Sequence, residues 1–202
     1  MYDFPEIYLA SASPRRRELL KQISVPHRVL IVPAPDGEDE PRLSGESPYD
    51  YVVRTARDKA SRAADWIHSQ QLPILPVLAA DTTVALGDLI FGKPESLEQA
   101  RAMIDILSGK THKVLTAVVL QSGPTLETLV SSTEVTFAPL SRQDVDRFCS
   151  TPEPWGKAGA YGIQGLASLF IERINGSYSG VMGLPIFETA QLLNRLSSGS
   201  TP

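Results

Sequence analysis

Apolar positions along this chain switch repeatedly between period two and period 3.6, which predicts strands and helices in mixed order. A short apolar run at residues 7–10 reads as a strand. Ser13-Pro14 then opens a helix, a side-chain cap ahead of a proline at the first helical position. Residues 28–32 form a second strand candidate. Ser47-Pro48 repeats the helix-start signal, and Val52, Ala56, Ala60, Ala63 and Ile67 recur at helical spacing to about residue 67. Lys59 lies on or beside that inward stripe, so its ammonium either snorkels outward or reaches a buried anion.

Farther along, residues 74–80 form a buried strand candidate that ends at Asp81, followed by 84–86, a Gly87-Asp88 turn and 89–91. Ser96-Leu97-Glu98-Gln99 is a capping box that starts a helix ending near Ser108-Gly109. Residues 114–121 and 128–138, joined through Ser122-Gly123-Pro124, predict an antiparallel pair. Ser141 caps a helix running through Cys149. A glycine-spaced segment follows, then a strand at 168–174, a turn at Asn175-Gly176, and a last helix at 185–196. The tail after it is expected to fray. No repeat or linker divides the chain, so the expectation is one α/β domain over residues 1–202 with an ordered core at about 7–196.

Composition narrows the function classes. The 202 residues are 42% hydrophobic and 21% charged, ordinary for a globular protein. A net charge of −4 argues against general binding of a nucleic-acid polymer, so any anion site must be a local cluster. Cys149 is the single cysteine, which excludes a disulfide framework and a Cys-rich zinc site. No apolar run approaches the ~18 residues of a membrane span, and no signal peptide is visible at the N-terminus. The expectation is a cytoplasmic protein without a membrane partner.

The first candidate for chemistry is the helix start at Ser13. Arg15, Arg16 and Arg17 fall in the first turn, where the macrodipole favours anions and each cation costs up to ~1 kcal/mol. Free backbone N–H groups, the serines and the guanidiniums together describe a phosphate or carboxylate site; the alternative is a solvated basic helix end. Asp81 closes an apolar run where an unpaired carboxylate is costly, and reads as a strand-end catalytic group or as a turn residue. The acidic loop of Asp36, Glu38, Asp39 and Glu40 is either solvated or a source of oxygen ligands for Mg²⁺.

Gly156, Gly159, Gly162 and Gly165 recur every third residue, which suits a ligand wall or a tightly packed loop. Gln164, projecting from that segment, offers both a donor and an acceptor for a base edge. Two P-loop mimics are rejected. Gly87–Lys93 is followed by Pro94 in place of Ser or Thr, and Ile104 stands at the first glycine position ahead of Gly109-Lys110-Thr111. His27, His68 and His112 show no metal-binding spacing and read as structural or exposed.

In order, Ser11-Ala12-Ser13-Pro14-Arg15-Arg16, Asp39-Glu40, Gly45-Glu46-Ser47-Pro48, Ala80-Asp81-Thr82, Gly92-Lys93-Pro94, Ser108-Gly109-Lys110-Thr111-His112, the segment GKAGAYGIQG at 156–165 and Gly183-Leu184-Pro185 closely resemble the Maf family of nucleotide pyrophosphatases. The resemblance covers about residues 7–196. It implies metal-dependent hydrolysis of a nucleoside triphosphate to the monophosphate and pyrophosphate, with Mg, Mn or Co as the divalent cation. It also implies an elongated mixed β-sheet with flanking helices, two lobes around a cleft, an inosine-triphosphatase-like fold, and a homodimer.

The AGAYGIQG form of the glycine segment is similar to the branch that acts on dTTP, UTP and modified pyrimidine nucleotides. The branch favouring 7-methyl-GTP differs there. By the same resemblance Asp81 is the proton acceptor, and Arg15, Thr82 and Gln164 hold the specificity positions. Ser13, Arg16, Lys59 and Lys93 contact phosphate, and Glu40 with Asp81 holds the metal. Gly156 departs from the pattern, which commonly has an aspartate there, and puts an ion pair to Lys157 in question. A nucleotide-sensing regulator of cell division that binds without turnover would use the same cluster, and release of pyrophosphate separates the two.

Overall fold

The computed structural model describes residues 3–33 and 40–198. Ile7–Leu9, all three buried, form β1, and Ser13 caps α1 at Pro14–Gln22 by accepting the Arg16 N–H. β2 follows at His27–Val29. Next comes α2 at Pro48–Ser69, capped by Ser47. The cap is worth about 1 kcal/mol, whereas Val52 and Ile67 each contribute roughly 1.5–3 kcal/mol on burial, so packing holds this helix. Its stripe is otherwise alanine, which lets the helix lie close over the sheet. No helix among the described residues is long and apolar enough to cross a membrane.

β3 runs from Val77 to Leu86 and turns through Gly87-Asp88 into β4 at Leu89–Phe91. α3 at Leu97–Leu107 leads to the long hairpin of β5, Thr111–Ser122, and β6, Thr125–Phe137. α4 spans Arg142–Cys149, with a reciprocal Ser141–Asp144 capping box. Two 3-10 turns, Ala158–Ala160 and Leu166–Leu169, precede β7 at Ile171–Asn175. α5 at Tyr178–Met182 and α6 at Ile186–Ser198 complete the described chain.

Among the described residues seven strands form one mixed sheet, in the order β2-β1-β3-β5-β6-β7 with β4 beside β3. β1 is parallel to β2 and β3, and the other pairings are antiparallel. α2 covers one face, packing Val52, Ala56 and Ala60 on Ala79, Leu115, Ala117 and Val119. The other face carries two apolar clusters. One joins Leu78, Ala80, Val118 and Leu120 to Leu192 and Leu193 of α6; the second joins Val84, Val114 and Phe137 to α3 and α4. Between them a polar row, Thr82, Thr116 and Ser131, crosses three strands in register. Thr116 donates to the Gly180 carbonyl at 2.8 Å, which docks α5 onto that row.

Several sequence expectations require correction. The strands at 74–80 and 84–86 are one continuous β3, so Asp81 lies inside a strand and not at its end. Pro73 and Pro76 delay its start, because proline cannot donate to a ladder. β2 is shorter than 28–32 and begins one residue earlier, and β7 begins at Ile171 after a 3-10 turn. α5 was not expected: five residues with Gly180 among them and Gly183 as the C-cap carry too little periodicity to read.

His112, in β5, is 1% exposed and packs edge-on against Phe137 and Tyr161. Burial pushes its pKa down to about 4. The unfolded chain takes a proton near 6.5, so stability falls as the pH drops from about 6.5 towards 4. That loss reaches about 2 kcal/mol at pH 5. His112→Gln removes the proton uptake, so urea unfolding should show the variant gaining on wild type by about this amount between pH 7.5 and 5. Parallel stabilities across that range would refute the assignment.

Candidate active site

The site begins with a gap in a ladder. β1 pairs with β3 only as far as Leu78, where the Ala10 N–H donates to the Leu78 carbonyl, and β4 pairs with β3 from Val84. Residues 79–83 therefore have no strand on that edge. α1 starts just past the end of β1, so its N-terminus stands at the gap with the positive end of its dipole. A cleft of about 1220 Å³ opens there, bounded by Ser13, Arg15 and Arg16 on one side and by the 156–165 segment on the other.

Asp81 lies in the gap and is 6% exposed. Burial is the largest influence on its carboxyl and would raise its pKa. The Lys59 ammonium, the Arg16 guanidinium and the Thr55 hydroxyl together outweigh it and hold the group ionised, below its ordinary value. Lys59 Nζ donates to Asp81 Oδ1 at 2.7 Å, and Thr83 Oγ1 lies 3.4 Å from Oδ2. The same ammonium also pairs with Glu40 Oε1. Of the two sequence readings of Lys59, the reach to a buried anion is the one realised, and the anion in this structure is carboxylate.

Arg16 is fixed by protein groups. Its Nε donates to the Gly183 carbonyl at 2.7 Å, Nη1 to Ser11 Oγ at 3.3 Å and Nη2 to Thr82 Oγ1 at 3.3 Å. Burial lowers its pKa, while the charges of Asp81 and Glu40 raise it. The Thr82 and Thr116 hydroxyls are 3.1 Å apart, and with the Thr116 proton on the Gly180 carbonyl Thr82 donates to Thr116, so Arg16 is anchored to the polar row between the two clusters. Gly183 is left-handed, φ 111°, and ends α5 with its carbonyl available to Arg16. Arg15 and Ser13 line the cleft, whereas Arg17 is exposed and outside it.

Lys93 follows β4 on the cleft wall, next to Gly92, whose carbonyl accepts the Gly159 N–H at 3.0 Å. Gln164 is exposed on the opposite rim, on the segment between the 3-10 turns. The structure thus brings Ser13, Arg15, Arg16, Lys59, Asp81, Thr82, Lys93, Gln164 and Glu40 to one cleft. Asp36, Glu38 and Asp39 lie outside the described residues. Lys157, left without an acidic neighbour by Gly156, pairs instead with Glu153, through both its carboxylate and its carbonyl.

Sequence reasoning missed Glu153 and Arg62, which also line the cleft. Arg62 was signalled by helical spacing, three after Lys59 on α2, whereas Glu153 lies in a turn after α4 where no periodicity points to it.

Two carboxylates converging on one ammonium, one of them buried and ionised, are oxygen donors of the kind a hard divalent cation takes. Among the described residues no group of three or more His, Cys, Asp or Glu forms a self-sufficient cage. A donor set of Asp81 and Glu40 completed by substrate phosphate oxygens fits Mg²⁺ or a similar ion.

Comparison with known proteins identifies the family. A family model described as Maf-like protein matches residues 6–196. A dTTP/UTP pyrophosphatase of Bordetella avium is 58% identical over 191 residues, covering 95% of each chain. One from Burkholderia pseudomallei is 49% identical over 195 residues, covering 94% of this chain and 93% of that one. Among solved structures, a nucleoside-triphosphatase/dITP/XTP pyrophosphatase from Mycobacterium abscessus aligns at 14% identity with a TM-score of 0.42, over 98% of this chain and all of that one. The match of the family model over nearly the whole chain, with relatives of 49–58% identity, shows that the protein belongs to the Maf-like family.

Proposed function

We propose that the protein hydrolyses dTTP and UTP, and modified pyrimidine nucleotides of the same shape, to the monophosphate and pyrophosphate. The observation that carries this reading is Asp81, a buried and ionised carboxylate at the open edge of β3, facing a cationic helix start. The relatives named dTTP/UTP pyrophosphatase support the substrate class.

A triphosphate brings about four negative charges, and cleavage shifts charge onto the leaving pyrophosphate. Arg15, Arg16 and Lys93, with Ser13 and the N–H groups at the start of α1, supply donors along the phosphate chain. Asp81 accepts a proton from the attacking water as the new P–O bond forms and the anhydride oxygen departs with pyrophosphate. A carboxylate so strongly paired is a weak base. Proton transfer becomes favourable once the triphosphate draws the Lys59 ammonium from Asp81 onto its own oxygens. A divalent cation held by Asp81 and Glu40 would neutralise phosphate charge and polarise the phosphoryl group. Gln164, Arg15 and Thr82 select the nucleoside, with Gln164 reading the base edge through its paired donor and acceptor. The work is assigned to the cytoplasm, where such nucleotides are made, and to a homodimer.

Asp81→Asn keeps the side chain's shape while removing its basicity. It should leave the melting temperature within a few degrees of wild type and lower pyrophosphate release at least ~10²-fold. Wild-type turnover would remove Asp81 from the reaction, and no pyrophosphate from wild type with dTTP or UTP and Mg²⁺ or Mn²⁺ would favour the regulator. Glu40→Gln should raise the Mn²⁺ concentration for half-maximal rate several-fold at saturating UTP; an unchanged titration would take Glu40 out of the metal site. Gln164→Glu should change the ratio of kcat/KM between UTP and GTP, whereas an equal fall for both would disprove base readout at this position.

A further inference from the structure

His112 and Tyr161 form a buried polar pair that the chemistry at Asp81 does not use. His112 Nε2 and Tyr161 Oη are 2.7 Å apart, and both rings pack edge-on against Phe137. The other imidazole nitrogen, Nδ1, is buried with no partner. An apolar ring at 112 would fill this place among aromatics without that orphan atom, so the imidazole is explained by the one bond it makes.

That bond ends on the cleft wall. Tyr161 lines the cleft, and Gly162, Ile163 and Gln164 follow it directly. The backbone leading into it is held in an unfavoured shape: Ala160 has φ 61°, a left-handed conformation for a residue with a Cβ. Gly159 has φ 69°, with Val84 only 3.0 Å from where its Cβ would stand. Such a shape persists only where the surroundings over-determine it. The anchors are the Gly159 N–H on the Gly92 carbonyl and the Tyr161 hydroxyl on His112. Gln164, three residues beyond the second anchor, is itself exposed.

We propose that His112 is a positioning residue for nucleobase selection, fixing through Tyr161 the wall that presents Gln164 to the base. This rests on the reading that Gln164 faces the base. The test compares wild type with His112→Phe, His112→Gln, Tyr161→Phe and the double Phe variant. It measures kcat/KM for UTP and for GTP, and inhibition by inorganic tripolyphosphate, which has no base.

His112→Phe and Tyr161→Phe should each lower the UTP-to-GTP ratio at least fivefold, and the double variant no further. Tripolyphosphate inhibition should stay within twofold, and His112→Gln, which retains a donor and an acceptor, should recover part of the ratio. A ratio unchanged in Tyr161→Phe overturns the proposal, as does a ratio that falls only together with tripolyphosphate binding. If His112→Phe does not fold, Tyr161→Phe, which loses a single oxygen, decides alone. A wild-type protein without base preference would instead overturn the parent reading of Gln164, and this proposal with it.

Discussion

Burying an ionised carboxylate costs several kcal/mol unless cations and hydrogen bonds surround it, and at Asp81 that requirement organises the neighbourhood. Lys59 comes from α2 on one face of the sheet, and Arg16 comes from α1 beside the open edge. Each is then tied to something else. Lys59 draws in Glu40, and Arg16 binds the Gly183 carbonyl and the Thr82 hydroxyl. The carboxylate thereby fixes the relative placement of α1, α2, α5 and the loop at Glu40. Removing its charge partners would leave an uncompensated buried charge, the costly half of any buried ion pair.

The polar row of Thr82, Thr116 and Ser131 has a complementary role. An unbroken apolar face would merge the two clusters into one core and leave no reason for a cleft to lie between them. Hydroxyls there must find partners, and they find them in α5 and Arg16. Satisfying the row thus brings the guanidinium and the end of α5 to the same point. Packing and site assembly are one event here.

Much of this was legible in the chain, for identifiable reasons. Capping serines followed by proline located α1 and α2, because the cap and the fixed proline φ are local physics. The alanine stripe with Lys59 beside it left two readings, an ammonium snorkelling outward or one reaching a buried anion, and the contact with Asp81 is the second. Less could be read at Asp81, because the continuity of β3 through it rests on pairing with β5 and the open edge beside it on where β1 stops, both non-local facts. α5 was invisible because its five residues are held by Thr116 and Arg16, which lie far away in sequence. Glu153 was not legible because the acid that pairs with Lys157 lies four residues earlier in a turn, where no local period marks it. Local signals placed the elements and most of the site residues; tertiary contacts decided which of those residues touch.

β1 has only three residues. Its brevity defines the opening on β3 as surely as any side chain does, since one more antiparallel or parallel partner along 79–83 would cover the edge where Asp81 sits. The dimensions of that window are therefore written in backbone pairing, and they change when a ladder bond is gained or lost, through an insertion, a deletion or a proline, and not through side-chain size. Divergence among such proteins should accordingly be uneven. The edge at Asp81, framed by ladder ends, changes in steps of whole ladder pairs, while exposed side chains on the cleft rim such as Gln164 can drift one at a time.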